Sequence, residues 1–167
     1  YFTPFFGGLL ADRLLGRRKA VIVGGILMAI GHFLMAVESM FLPALMFLIL
    51  GNGCFKPNIS TQVGGLYPPG DHRRDSAFSI FYVGINVGAF LAPLVCGTLG
   101  QRVGWHWGFA AAGVGMVLGL VNYILNQDKL PNEPPPTTSK KAPVLGVAAF
   151  VLGIPTGIVT LLWLLTL

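Results

Sequence analysis

The sequence predicts an all-α integral membrane protein, a bundle of transmembrane helices, on three observations. Hydrophobic residues make up 54% of the chain and charged residues only 10%, against about 25% charged in an ordinary soluble domain. The apolar residues run in blocks near the roughly 20 residues that a helix needs to cross a bilayer. None of these blocks alternates with period two, and none falls to the length of a barrel strand, so β architecture is excluded.

Taken in order, residues 1–11 read as the tail of one span, and 20–37, 41–66, 76–99, 104–126 and 144–167 as five more. No block has the short apolar core and small-residue cleavage site of a signal peptide. The chain starts and stops inside apolar helix, which reads as a piece with neighbours missing on both sides. The loops alternate in charge. The first carries Arg13, Arg17, Arg18 and Lys19, the third Arg73 and Arg74, and the fifth Lys129, Lys140 and Lys141. Between them, the loop at Glu38 has no base and "QRVGWHW" has only Arg102. Cytoplasmic loops concentrate lysine and arginine, so the loops near Arg17, Arg73 and Lys140 are expected on the cytoplasmic side of a multi-pass protein of the cell (inner) membrane. Trp105 and Trp107 suit an interfacial aromatic belt on the other side. The net charge of +5 is thus topological. With no basic face and interleaved aromatics outside the loops, no nucleic-acid partner is expected; the lipid bilayer is one.

The long polar stretch "QDKLPNEPPPTTSKKAP", residues 127–143, is rich in proline and charge and reads as a cytoplasmic linker. The span at 144–167 then belongs to a new structural unit. Cys54 and Cys96 fall inside spans with no CxxC and no histidine at ligand spacing, so they read as packing residues, with neither disulfide nor metal. No pairing of nucleophile with base is visible in the spans, so an enzyme is not expected.

"GNGCFKPNIS", residues 51–60, places Lys56 deep in an apolar run. Tyr67, the nearer end, is eleven residues away. That is roughly 16 Å along a helix, beyond the reach of a snorkelling side chain. Burying that charge costs on the order of 2.5–3.5 kcal/mol on insertion scales, so Lys56 must face a partner or a wet cavity. A structural ion pair would also satisfy it, but a transport site is the stronger reading. Pro57 removes a backbone donor, which is expected to bend the helix and free a carbonyl one turn earlier. Two matches fail on context: "NIS" at 58–60 is a glycosylation sequon inside a span, and "GNGCFK" lacks the end and the preceding strand of a phosphate loop. In "FSIFYVGINVGAF", residues 78–90, Asn86 interrupts another span between Gly84 and Gly88. By itself it is equally interhelical glue or a ligand contact. His32 reads as a hydrogen-bonded structural histidine rather than a proton relay. Thr61 and Gln62 are candidates for wetting the lower cavity.

"GGLLADRLLGRRKAVIVGG" and "FSIFYVGINVGAF" resemble the two signature motifs of the proton-coupled oligopeptide transporter (POT) family of the major facilitator superfamily, and "GCFKPNIS" is similar to its fourth-helix motif. Leu14 and Leu15 put two residues between Asp-Arg and Gly, as in the peptide family, where general facilitators have one. The resemblance covers residues 1 to about 126. It implies a twelve-helix core of two six-helix halves working by alternating access around a central site, with di- and tripeptides carried inward by protons. The chain then holds about helices 2–6 of a major facilitator bundle plus one further span, which is helix 7 or an extra helix between the halves. Helix 1, with its acidic proton-coupling motif, and the C-terminal half lie outside it. No cofactor is implied; protons are the coupling ion.

The resemblance also implies roles. Lys56 would take the peptide carboxylate and Asn86 its backbone or amino end, and Tyr1 would face substrate. Asp12, Arg13, Arg17 and Arg18 resemble the superfamily's cytoplasmic gate, in which the aspartate holds a neighbouring helix end. A positive-inside anchor explains the arginines equally well but not Asp12. Two rivals remain: a transporter of nitrate or another small anion on the same scaffold, and a non-transporting membrane receptor.

Overall fold

The computed structural model describes residues 2–131. Tyr1, the linker beyond residue 131 and the span expected at 144–167 lie outside the described residues. Every regular element within them is helical: α1 (Phe2–Leu10), α2 (Arg17–Met35), α3 (Phe41–Gly64), α4 (Arg73–Ala92), α5 (Thr98–Arg102) and α6 (Trp105–Asn126). Four stretches are long and apolar enough to cross a membrane: Arg17–Met35, Glu38–Gly64, Arg73–Arg102 and Trp105–Lys129. They match the spans expected at 20–37, 41–66, 76–99 and 104–126 to within a few residues. The charged residues at 17–19 and 73–75 join the helices instead of staying in the loops, because a helix terminus in the interface leaves room for charge on its first turn.

The first loop differs from expectation. The chain does not leave the helix at residue 11 but continues through a π-helical turn, Ala11–Leu15. The Gly16 N–H closes this turn on the Ala11 carbonyl at 2.9 Å. Gly16 then takes φ 79, a left-handed conformation that glycine adopts without a Cβ penalty. The extra leucine of "DRLLG" is therefore accommodated as one wide helical turn. A second π-helical turn, Pro93–Gly97, joins α4 to α5. The loop before α4 is fixed by Asp71, whose Oδ1 accepts the Arg73 backbone N–H at 2.9 Å. Both Asp71 oxygens also accept from the Arg73 guanidinium, at 3.1 and 2.7 Å. These hydrogen bonds hold the Asp71 carboxyl below the usual carboxylate range.

The packing follows from small residues. Helix α3 lies between α1 and α2, and α6 covers another face of α2. Where α2 crosses α3, a Cβ on Gly24 would sit 2.7 Å from the Gly51 carbonyl oxygen, and a Cβ on Gly51 would sit 2.7 Å from the Gly24 oxygen. The two backbones therefore touch, which only paired glycines allow. Gly25 takes the Leu120 methyls of α6, and Gly113 of α6 takes the Phe33 ring. Close approach through glycine and alanine is how helices gain van der Waals contact where lipid offers no hydrophobic drive. The larger side chains Leu10, Leu50 and Cys54 form the buried core at the meeting of α1 and α3, flanked by Phe6, Leu14, Leu15 and Leu27. Helix α4 is different: it buries no residue, and Ile80, Val83 and Phe90 are exposed.

Candidate functional site

Lys56 and Pro57 lie in the C-terminal half of α3, and the helix runs through Pro57 without interruption. Proline has no N–H for the carbonyl of Gly53, and the structure shows what meets that oxygen. Gly7 of α1 lies so close that a Cβ there would overlap the Gly53 carbonyl, and Thr3 faces Gly53 itself. The freed carbonyl is thus covered by a neighbouring helix. The next turn is tied by side chains: the Thr61 hydroxyl donates to the Pro57 carbonyl at 2.7 Å and the Ser60 hydroxyl to the Lys56 carbonyl at 3.0 Å. Such back-bonding to the preceding turn satisfies the two hydroxyls within α3.

Lys56 is on an exposed face of α3. Asn58, two residues on, is 2% exposed, with its amide donating to the Cys54 carbonyl at 2.7 Å and reaching the Gly7 carbonyl at 3.4 Å. Gln62, one turn later, is also buried, and its Oε1 accepts the Tyr123 hydroxyl of α6 at 2.8 Å. Gln62 is therefore a tie between α3 and α6 rather than a cavity-wetting group, and Thr61 is engaged with its own helix. The two neighbours differ in direction: Gln62 faces inward and meets Tyr123 of α6, whereas Thr61 lies on the exposed side of α3.

Asn86 sits on α4, exposed, with its amide donating to the Tyr82 carbonyl at 2.9 Å. A Cβ on Gly84 or Gly88 would meet nothing within 4 Å among the described residues. Among the described residues, this part of α4 thus presents an open surface. Tyr1 lies outside the described residues. Of the residues expected at the gate, Asp12 and Arg17 come together across Gly16, with Nε to Oδ1 3.3 Å, and Arg13 is exposed. Arg18 takes a different course: its guanidinium donates to the carbonyls of Leu130 and Pro131 at 2.7 and 2.9 Å. It ties the base of α2 to the chain leaving α6. His32 has a buried Nδ1 with no hydrogen-bond partner among the described residues, where a bonded one was expected.

Sequence reasoning missed Asn58, Tyr123 and the Gly7–Gly53 crossing. Asn58 was visible as a polar residue in an apolar span, as Asn86 was, but it was read only as part of a failed sequon. Tyr123 near the end of α6 carries no local signal of its partner.

Glycine crossings between apolar helices long enough to cross a bilayer, with polar side chains bonded between them, define a helical membrane protein. The chain belongs to the POT family, whose family model matches residues 18–158. It is 42% identical over 175 residues to the "Uncharacterized transporter YclF" of Bacillus subtilis, covering 96% of this chain and 36% of the relative. It is 49% identical over 126 residues to the "Peptide transporter YePEPT" of Yersinia enterocolitica, covering 72% of this chain and 25% of that one. Among solved structures, it is similar to a peptide transporter POT in complex with sulfate (TM-score 0.82, 40% identity, 99% of this chain and 35% of that chain). It is also similar to a POT family transporter in complex with 5-aminolevulinic acid (TM-score 0.80, 35% identity, 99% of this chain and 35% of that chain). The chain thus spans about a third or less of the length of these relatives.

Proposed function

We propose that the protein of which this chain is part carries di- and tripeptides across the cell membrane by proton-coupled symport and alternating access. The observation that supports this most directly is Lys56, a cation at membrane depth on an exposed face of α3, in a chain of the POT family. An ammonium offers three donors and a full charge to a peptide carboxylate. Asn86, on the open surface of α4, contacts the peptide backbone or amino end, and Tyr1 faces the substrate. The Asp12–Arg17 pair works at the cytoplasmic gate with Arg13, on the side shared by the loops near Arg73 and Lys140.

The test is uptake of labelled dialanine by the full-length parent in liposomes, with and without an inward-directed proton gradient, beside Lys56→Ala. Gradient-driven accumulation that the variant loses while remaining folded supports the reading. A parent that accumulates nitrate and no peptide moves it to the small-anion transporter, and one that binds dialanine without accumulating it moves it to the receptor.

A further inference from the structure

We propose that Asn58 is the positioning residue of the Lys56 site: by clamping α3 to α1 it fixes the rotation of α3 and so the direction in which Lys56 is presented. This rests on the reading of Lys56 as the carboxylate-binding group. Residues two apart on an α-helix are separated by about 200° around its axis. Asn58 is buried toward α1 while Lys56 is exposed, as that angle requires. Anything that turns Asn58 turns Lys56 in the opposite lateral sense.

Two contacts stop α3 from turning. The Gly53 carbonyl, without a helical donor because of Pro57, is covered by Gly7 with no room for a Cβ. The Asn58 amide then holds the next carbonyl, Cys54, at 2.7 Å and reaches the Gly7 carbonyl at 3.4 Å. One NH2 group thus serves both helices. The glycines set how close α1 and α3 come. The amide is the contact on this seam with a directional bond, so it sets the angle.

An aspartate at this position tests the clamp because it has the shape of asparagine and two chemistries. Protonated, its one O–H donates to the Cys54 carbonyl; ionised, it offers only acceptors to two carbonyls and leaves water at a cost. Burial therefore favours the protonated form of an Asn58→Asp side chain over the ionised one. The sign follows: the variant matches the parent at low pH and fails as pH rises above the unfolded carboxyl value. No titratable residue lies on α1 (Phe2–Leu10). On α3 the neighbours are Lys56 and Cys54; on α2 the charged and titratable groups are Arg17, Arg18, Lys19 and His32; Asp12 lies on the π-helical turn.

The experiment measures, in full-length parent, Asn58→Asp and Asn58→Leu, the thermal midpoint and the equilibrium affinity for dialanine from pH 5 to 8. The expectation for Asn58→Asp is a midpoint already below the parent's at pH 5 that falls further toward pH 8, with affinity about tenfold weaker at pH 8 than at pH 5, equivalent to about 1.4 kcal/mol. Asn58→Leu is expected to be weakened equally at every pH. If the Asn58→Asp midpoint follows the parent's at all pH values, there is no clamp. If the midpoint falls but affinity holds, Asn58 is structural and does not position Lys56. If the parent binds no dialanine, the peptide reading fails and the positioning role fails with it, while the midpoints still show whether the clamp exists.

Discussion

Replacing Gly51 by alanine places a methyl where the structure has no space for one. Its Cβ would sit 2.7 Å from the Gly24 carbonyl oxygen and 2.8 Å from the Met28 nitrogen, both backbone atoms that no rotamer change can move. Bringing these to ordinary contact requires α2 and α3 to part by about 0.7 Å. Overpacking of this kind costs about 1–3 kcal/mol, and rigid backbone on the opposing side puts this case at the upper end. Alanine regains about 1 kcal/mol of helix propensity over glycine. The net expectation is a loss of about 1–2 kcal/mol, read as a lower thermal midpoint of the full-length parent in detergent. Gly115→Ala is the control: nothing lies within 4 Å of its Cβ, so only the propensity gain applies. Gly24→Ala combined with Gly51→Ala should cost less than the separate losses together, because the first substitution has already parted the helices. A Gly51→Ala midpoint at or above that of Gly115→Ala would refute the contact argument.

Three further outcomes follow from single contacts. Tyr123→Phe removes the donor to the buried Gln62 Oε1 and should destabilise by about 1 kcal/mol in chemical or thermal unfolding. Arg18→Ala releases the carbonyls of Leu130 and Pro131, both held by the Arg18 Nη2, so tryptic cleavage after Lys129 in the detergent-solubilised parent should speed several-fold. For Asp71, the folded carboxyl lies below its ordinary value near 4, so its stabilisation of the α3–α4 loop is complete above that pH and is lost as pH falls through the lower folded value. Asp71→Asn should remove that acid dependence, measured as loop proteolysis against pH below about 4.

The four spans at 20–37, 41–66, 76–99 and 104–126 were legible because bilayer thickness imposes a length on apolar runs, and the structure moves their ends by only a few residues. Lys56 was legible for a related reason: a charge in such a run is costly enough to need an explanation. What could not be read was the partner of each polar group. Gln62 and Thr61 have similar local sequence surroundings, yet one bonds α6 and the other its own helix, because only the packing of α3 against its neighbours distinguishes inward from outward. The π-helical turn was hidden for a different reason. "DRLLG" counts as a loop by charge, but its backbone can stay helical by widening one turn.

Helix α4 and its continuation to Arg102 are held mainly near their ends: Phe78 and Arg74 lie against Gly64, and Cys96 and Gly100 meet Gly108 and Trp105. Between these fastenings, from Tyr82 to Leu91, no residue is buried. A rod pinned in this way bows under a sideways load and recoils when the load is removed, and its resistance is the bending stiffness of one helix. Among the described residues, moving Asn86 sideways therefore parts no buried contact, and the resistance they offer is elastic rather than hydrophobic.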